Sequence, residues 1–232
     1  MSTIIKLTEE EIAAEQQRFI VKVYAWMSAA LIITGIVAFW ASITPEVVQI
    51  IFGTRFVFMA LIMAELVLVG SLVGFVQKLS AQLAILIFAF YSILNGLTLS
   101  VIFLAYTSES IATTFFVTAG TFGVMSAYGY FTKSDLMKTG NILIMGLVGI
   151  VLASIVNIFL KSEMMYWIIT YVGIFIFVGL IAYDTQKIKN LNVIGNEGTD
   201  EDKKEAIIGA LTLYLDFINL FLLLLRIFGR RK

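Results

Sequence analysis

The chain has 232 residues, 60% of them apolar and 14% charged, with one proline, a formal net charge of zero and a mean hydropathy of +0.97. That balance excludes a soluble globule, and without a large basic block the chain offers no surface for nucleic acid. Cysteine and histidine are both absent; disulfides, thiolate or imidazole metal sites and His-assisted nucleophiles are therefore excluded, no enzyme activity is expected, and proton sensing falls to carboxylates.

In chain order, residues 1–20 are polar and read as a cytoplasmic N-terminal segment, in which Thr8-Glu9-Glu10-Glu11 forms a helix-capping box. The basic start and short apolar core of a signal peptide are missing. Residues 21–232 read as one domain. Long apolar runs predict spans at 21–43, 56–76, 83–106, 111–131, 141–160, 165–185 and 207–228. They are too long and too evenly apolar for barrel strands, so the expected fold is an all-α integral membrane protein, a bundle of seven transmembrane helices.

Short connections make successive helices antiparallel neighbours. The exception is 186–206, where Gly195-Asn-Glu-Gly198 and the charged run Asp200 to Glu205 predict a mobile, solvated connector without EF-hand spacing. Pairs such as Gly70/Gly74, Gly120/Gly123 and Gly146/Gly149 would permit close helix packing. No internal repeat or pair of broken helices points to a coupled transporter.

Lys6, Arg18, Lys22, Lys78, Lys133, Lys138, Lys187, Lys189, Lys203 and Lys204 fall on the side of the N-terminus, against Arg55 and Lys161 opposite. The positive-inside rule then puts the N-terminus in the cytoplasm. The terminal Arg226, Arg230, Arg231 and Lys232 run against that split. Either the tail is an exception or the last segment is re-entrant; full crossing is favoured, since 22 residues rise about 33 Å, enough to span.

Three acids lie inside spans. Asp216 sits amid fifteen Leu, Ile and Phe in 207–228. A charge at mid-span costs about 3 kcal/mol on insertion scales, while an interhelical hydrogen bond in a membrane returns only about 0.6 kcal/mol on average. A purely structural role for Asp216 is thus disfavoured, and Asn219, one turn on, extends its polar stripe. Asp184 lies near the cytoplasmic end of span six. Joined on that side, spans six and seven could bring the two aspartates together, where like charge and low dielectric would make them share a proton. Pairing of Asp184 with Lys187, Lys189 or a lipid headgroup is the alternative. Glu65, in mid-span two, suits a cation pathway together with Asn219, or else is a protonated acid bonded to a neighbouring helix. Tyr91, Asn95 and Thr98 on span three, and Ser154 and Asn157 on span five, are expected to make interhelical hydrogen bonds.

Ala182-Tyr-Asp-Thr-Gln-Lys-Ile-Lys189 and the run Ala210 to Gly229, with its Leu-Tyr-Leu-Asp216-Phe-Ile-Asn219 core, closely resemble the signatures of the Bax inhibitor family, and the likeness extends over nearly the whole chain. It looks like a bacterial inner-membrane member. The resemblance implies a last helix at the centre, surrounded by the other six, and a pH-sensitive calcium leak controlled by aspartates corresponding to Asp184 and Asp216, with Glu65 as the intramembrane acid. It also implies that these two aspartates could meet calcium directly. Where some members carry a latch arginine near the cytoplasmic end of span two, this chain has Val76-Gln77-Lys78, which leaves Lys78 as a possible counter-charge. Lipid, calcium and protons are the expected partners, calcium entering as permeating ion and not as cofactor. A regulatory protein that binds a membrane protease or other membrane partner through its N-terminal segment is the rival reading.

Overall fold

The computed structural model describes residues 8–191 and 193–232; Lys6, counted above among the N-terminal-side cations, lies outside the described residues. Eight α-helices follow one another: α1 Glu9–Ser42, α2 Pro45–Gly53, α3 Arg55–Phe75, α4 Ala81–Ala105, α5 Ser108–Phe131, α6 Met137–Leu160, α7 Glu163–Leu191 and α8 Asp200–Phe228. All but α2 are long and apolar enough to cross a membrane. The expected all-α bundle of seven spans is the fold observed.

Local sequence sets the helix ends. Thr8 and Glu11 form the predicted reciprocal capping box at the start of α1. Ser80, Thr107 and Thr199 cap α4, α5 and α8 by accepting from the backbone N–H three residues on. The short α2, between the first two predicted spans, begins with Pro45, whose fixed φ and missing N–H suit a first helical position.

The last helix is central. In its apolar stretch 72% of residues are buried, against 6% for α3 and 0% for α6. It packs on α1, α4, α5 and α7, while α3 rides outside on α4 and α6 outside on α7. The helix is a single unbroken element of 29 residues, about 43 Å long. Its C-terminal tail docks on the α4–α5 turn, where Thr107 N–H donates to Arg230 O at 2.9 Å and Lys232 N–H to Ala105 O at 3.0 Å. That turn lies on the side opposite the N-terminus, so α8 crosses the bundle fully and is not re-entrant.

Three helices continue past the predicted spans, and they remake the N-terminal side. Residues 9–20, expected as a separate tail, are the first turns of α1, and α7 and α8 consume most of the expected 186–206 connector. What remains is not loose. Arg18 donates to both Glu197 carboxylate oxygens at 2.9 and 2.8 Å, Gly195 N–H donates to Glu15 at 2.8 Å, and Lys22 pairs with Asp202 at 2.5 Å. Gly195 and Gly198 take positive φ, 89° and 83°, which only glycine adopts without strain. The polar face of α1 thus fastens a loop whose composition alone suggested mobility.

Close helix approach also arises at other glycines than expected. A Cβ at Gly129 would collide with the Ala182 backbone and one at Gly140 with the Tyr183 ring. Of the six glycines singled out above, only Gly146 meets a neighbour, Ile176; the others face open space.

Candidate functional site

Asp184 on α7 and Asp216 on α8 do meet. Both are buried, 7% and 5% exposed, and close enough across the helix pair for each carboxyl to act on the other. Asp216 Oδ2 is fully enclosed and finds no hydrogen-bond partner among the described residues. Two facing carboxyls can bond each other only if they hold a proton between them. Lys187, one turn beyond Asp184, lines the same cavity as Asp184.

Asp184 also forms part of the wall of a cavity of about 270 Å³ on the N-terminal side, lined further by Gln77, Lys187, Glu201, Lys204 and Thr212. Asp216 is not in that wall. Asp184 therefore stands between the cavity and its buried partner. The cavity's rim alternates in sign: Lys204, 8% exposed, lies 3.7 Å from Glu201.

Lys78, the possible counter-charge, is elsewhere. It follows the last turn of α3 and lies 5.8 Å from the Phe75 ring, while its neighbour Gln77 reaches the cavity. The side chains that sequence reasoning missed at this site are Gln77 and Lys204. Lys204 was hidden inside a charge run that looked solvated, and only its i, i+4 spacing to Ile208 hinted that it faced the bundle.

Glu65 forms a second polar centre. Its carboxylate accepts from Thr98 Oγ1 at 2.5 Å and Asn95 Nδ2 at 3.3 Å on α4. Asn95 Oδ1 accepts from Tyr214 OH at 3.0 Å, and Thr34 Oγ1 divides its single proton between that hydroxyl, at 2.7 Å, and Ser92 O, at 2.9 Å. One chain of hydrogen bonds thus ties α3, α4, α8 and α1. Its hub is Tyr214, a fully buried side chain two residues before Asp216; a hydroxyl in so apolar a run was the signal that sequence reading passed over.

Asn219 does not join Glu65. Its amide closes on its own helix, donating to Leu215 O at 2.8 Å. Ser154 and Asn157 likewise bond within α6 and its C-terminal turn, to Ile150 O and from Ser162 N–H, and not across helices as expected. Among the described residues no three acidic side chains gather closely enough to hold a metal ion. The aspartate pair alone offers two carboxylates where calcium takes six to eight oxygens. That donor set is too small for a calcium cage.

Residues 16–232 match the family described as inhibitor of apoptosis-promoting Bax1. The chain belongs to the Bax inhibitor family. It is 54% identical over 217 residues to the inner membrane protein YbhL of Escherichia coli K12, covering 93% of each chain. A protein of Borreliella burgdorferi is 44% identical over 99% of both chains, and a membrane protein of Streptococcus pyogenes serotype M6 is 34% identical over the same share. Glu65, Asp184 and Asp216 all lie inside the matched region of the Bax inhibitor family.

Proposed function

We propose that this Bax inhibitor family member is a passive, pH-regulated cation leak, carrying calcium, in a bacterial inner membrane. The observation that carries the reading is the enclosed carboxyl pair. Asp216 has an oxygen with no other partner, it faces Asp184, and Asp184 borders a cavity open toward the N-terminal side. A proton shared between the two holds α7 to α8; loss of that proton sets two like charges against each other in a low dielectric, which drives the helices apart and opens the path from the cavity. Acids that face protein inside a membrane helix are retained for such work.

The reading is non-enzymatic, in keeping with a chain that has neither histidine nor cysteine. An inner-membrane relative supports the membrane placement, and the basic asymmetry supports a cytoplasmic N-terminus. The rival, a regulator that engages a partner through its N-terminal segment, draws less support, because Glu15 and Arg18 of that segment are already bound within the chain.

The deciding experiment is calcium flux in proteoliposomes across pH, comparing wild type with Asp184→Asn and Asp216→Asn. Flux that rises with pH in the wild type and flattens in either variant supports the leak; no calcium flux at any pH from folded protein rejects it.

A further inference from the structure

On one side of the bundle α1 and α5 stand apart, leaving a lateral groove of about 580 Å³. Tyr24 and Leu31 form one wall, Phe115 and Gly123 the other, and Phe122 and Phe217 part of the floor. The rings step along it edge to face, with centroids 5.4 Å apart for Phe115–Phe217, 5.6 Å for Phe122–Phe217 and 6.3 Å for Tyr24–Phe122. From Phe115 to Phe131 the groove follows α5 over a rise of about 24 Å, so it runs from the N-terminal-side interface past the roughly 15 Å of one leaflet's hydrocarbon. A long, narrow, apolar channel open sideways to the bilayer has the shape of an acyl chain.

Its interfacial end is not apolar. Tyr130 lines the groove and also a separate polar pocket of about 290 Å³ that includes Lys133, Lys189 and Asp135. Lys189 lies 4.5 Å from the centre of the Tyr130 ring and donates to Tyr130 O at 3.1 Å, which places its ammonium at the junction of groove and pocket. Asp135 accepts from Met137 N–H at 2.9 Å, so the one acid is engaged by backbone while the two lysines keep donors for a ligand.

We propose that groove and pocket together bind one anionic phospholipid, its acyl chain along the α1–α5 groove and its phosphate against Lys133 and Lys189. The basic pocket, which meets the apolar groove at Tyr130, distinguishes this from generic lipid contact, because a basic pocket at membrane depth selects acidic headgroups.

The test is native mass spectrometry of the full chain in detergent, with phosphatidylglycerol or phosphatidylcholine of identical acyl chains added. Wild type is expected to retain one phosphatidylglycerol in clear preference to phosphatidylcholine. Lys189→Gln is expected to reduce that preference about fivefold, and Lys133→Gln/Lys189→Gln to abolish it. A Cβ at Gly123 meets nothing within 4 Å, so Gly123→Leu fills the groove without backbone collision and is expected to lose either lipid, while Gly123→Ala keeps it. Wild-type occupancy in folded Gly123→Leu, or equal retention of the two lipids by wild type, overturns the proposal. A dimer that Gly123→Leu dissolves would assign the groove to a second copy and overturn it too. Should Gly123→Leu fail to fold, the lysine variants decide the matter alone.

Discussion

Lys22 of α1 places its ammonium 2.5 Å from Oδ2 of Asp202, a side chain only 2% exposed at the start of α8, and the same oxygen accepts from Gly198 N–H at 2.8 Å. Removing the lysine strands a buried carboxylate. Lys22 itself is 30% exposed, so the loss falls between that of a surface pair and that of a fully buried one, about 1–3 kcal/mol. Lys22→Met is expected to lower the thermal unfolding midpoint in detergent and to admit protease between residues 193 and 199. An unchanged midpoint together with an uncut loop would show that the strap contributes nothing.

The neighbouring strap should respond to acid. Two hydrogen bonds from the Arg18 guanidinium hold the Glu197 carboxyl below its usual range. A depressed folded value means the contribution is present above the unfolded carboxylate value, about 4.3, and is lost as pH falls through the folded one. Both groups are exposed, so salt also weakens it. Limited proteolysis of the 193–199 loop is expected to accelerate below about pH 4 in wild type and to be already fast, with little further change, in Arg18→Gln. Equal pH profiles for the two proteins would discard this account.

Glu65 and Tyr214 are tied through Asn95, so their substitutions separate transport from structure. Tyr214→Phe deletes the hydroxyl that reaches Thr34 and Asn95 and is expected to cost about 0.6–1.7 kcal/mol in unfolding measurements. Glu65→Gln keeps one acceptor and the shape; it is expected to fold with a similar midpoint and to lower calcium flux. Flux equal to wild type in folded Glu65→Gln leaves Glu65 as a clamp between α3 and α4 and nothing more.

How much of this was legible in the sequence differs from residue to residue. Spans follow from apolar length alone, and Thr8 with Glu11 announced the start of α1 because capping is a local interaction. The meeting of Asp184 with Asp216 was readable because α7 and α8 are joined on one side and each acid lies at a countable depth from that join. The 193–199 loop was misread because its partners, Glu15, Arg18 and Lys22, are about 180 residues away, and composition carries no record of such pairings. Lys78 went astray for a subtler reason. A 3-10 turn at Val76–Lys78 rotates the chain so that Gln77 reaches the cavity and Lys78 approaches Phe75, and a change of helix type by one turn is invisible to spacing arguments.

The aspartate pair yields the sharpest prediction, since its two members cannot be understood singly. While one proton is shared, Asp184 and Asp216 attract, and α7 is held against α8; when the proton leaves, both are charged and repel. The closed form is therefore favoured at low pH and weakens as pH rises. Asparagine keeps the size and can donate to the remaining aspartate, but it never ionises to complete a like-charged pair. Asp184→Asn and Asp216→Asn are each expected to flatten the dependence of calcium flux on pH, and the double variant to add little beyond either one, because residues sharing a single interaction are not additive. Flux of the double variant that still rises with pH as in wild type would remove the pair from the gate and leave it a packing contact between two helices.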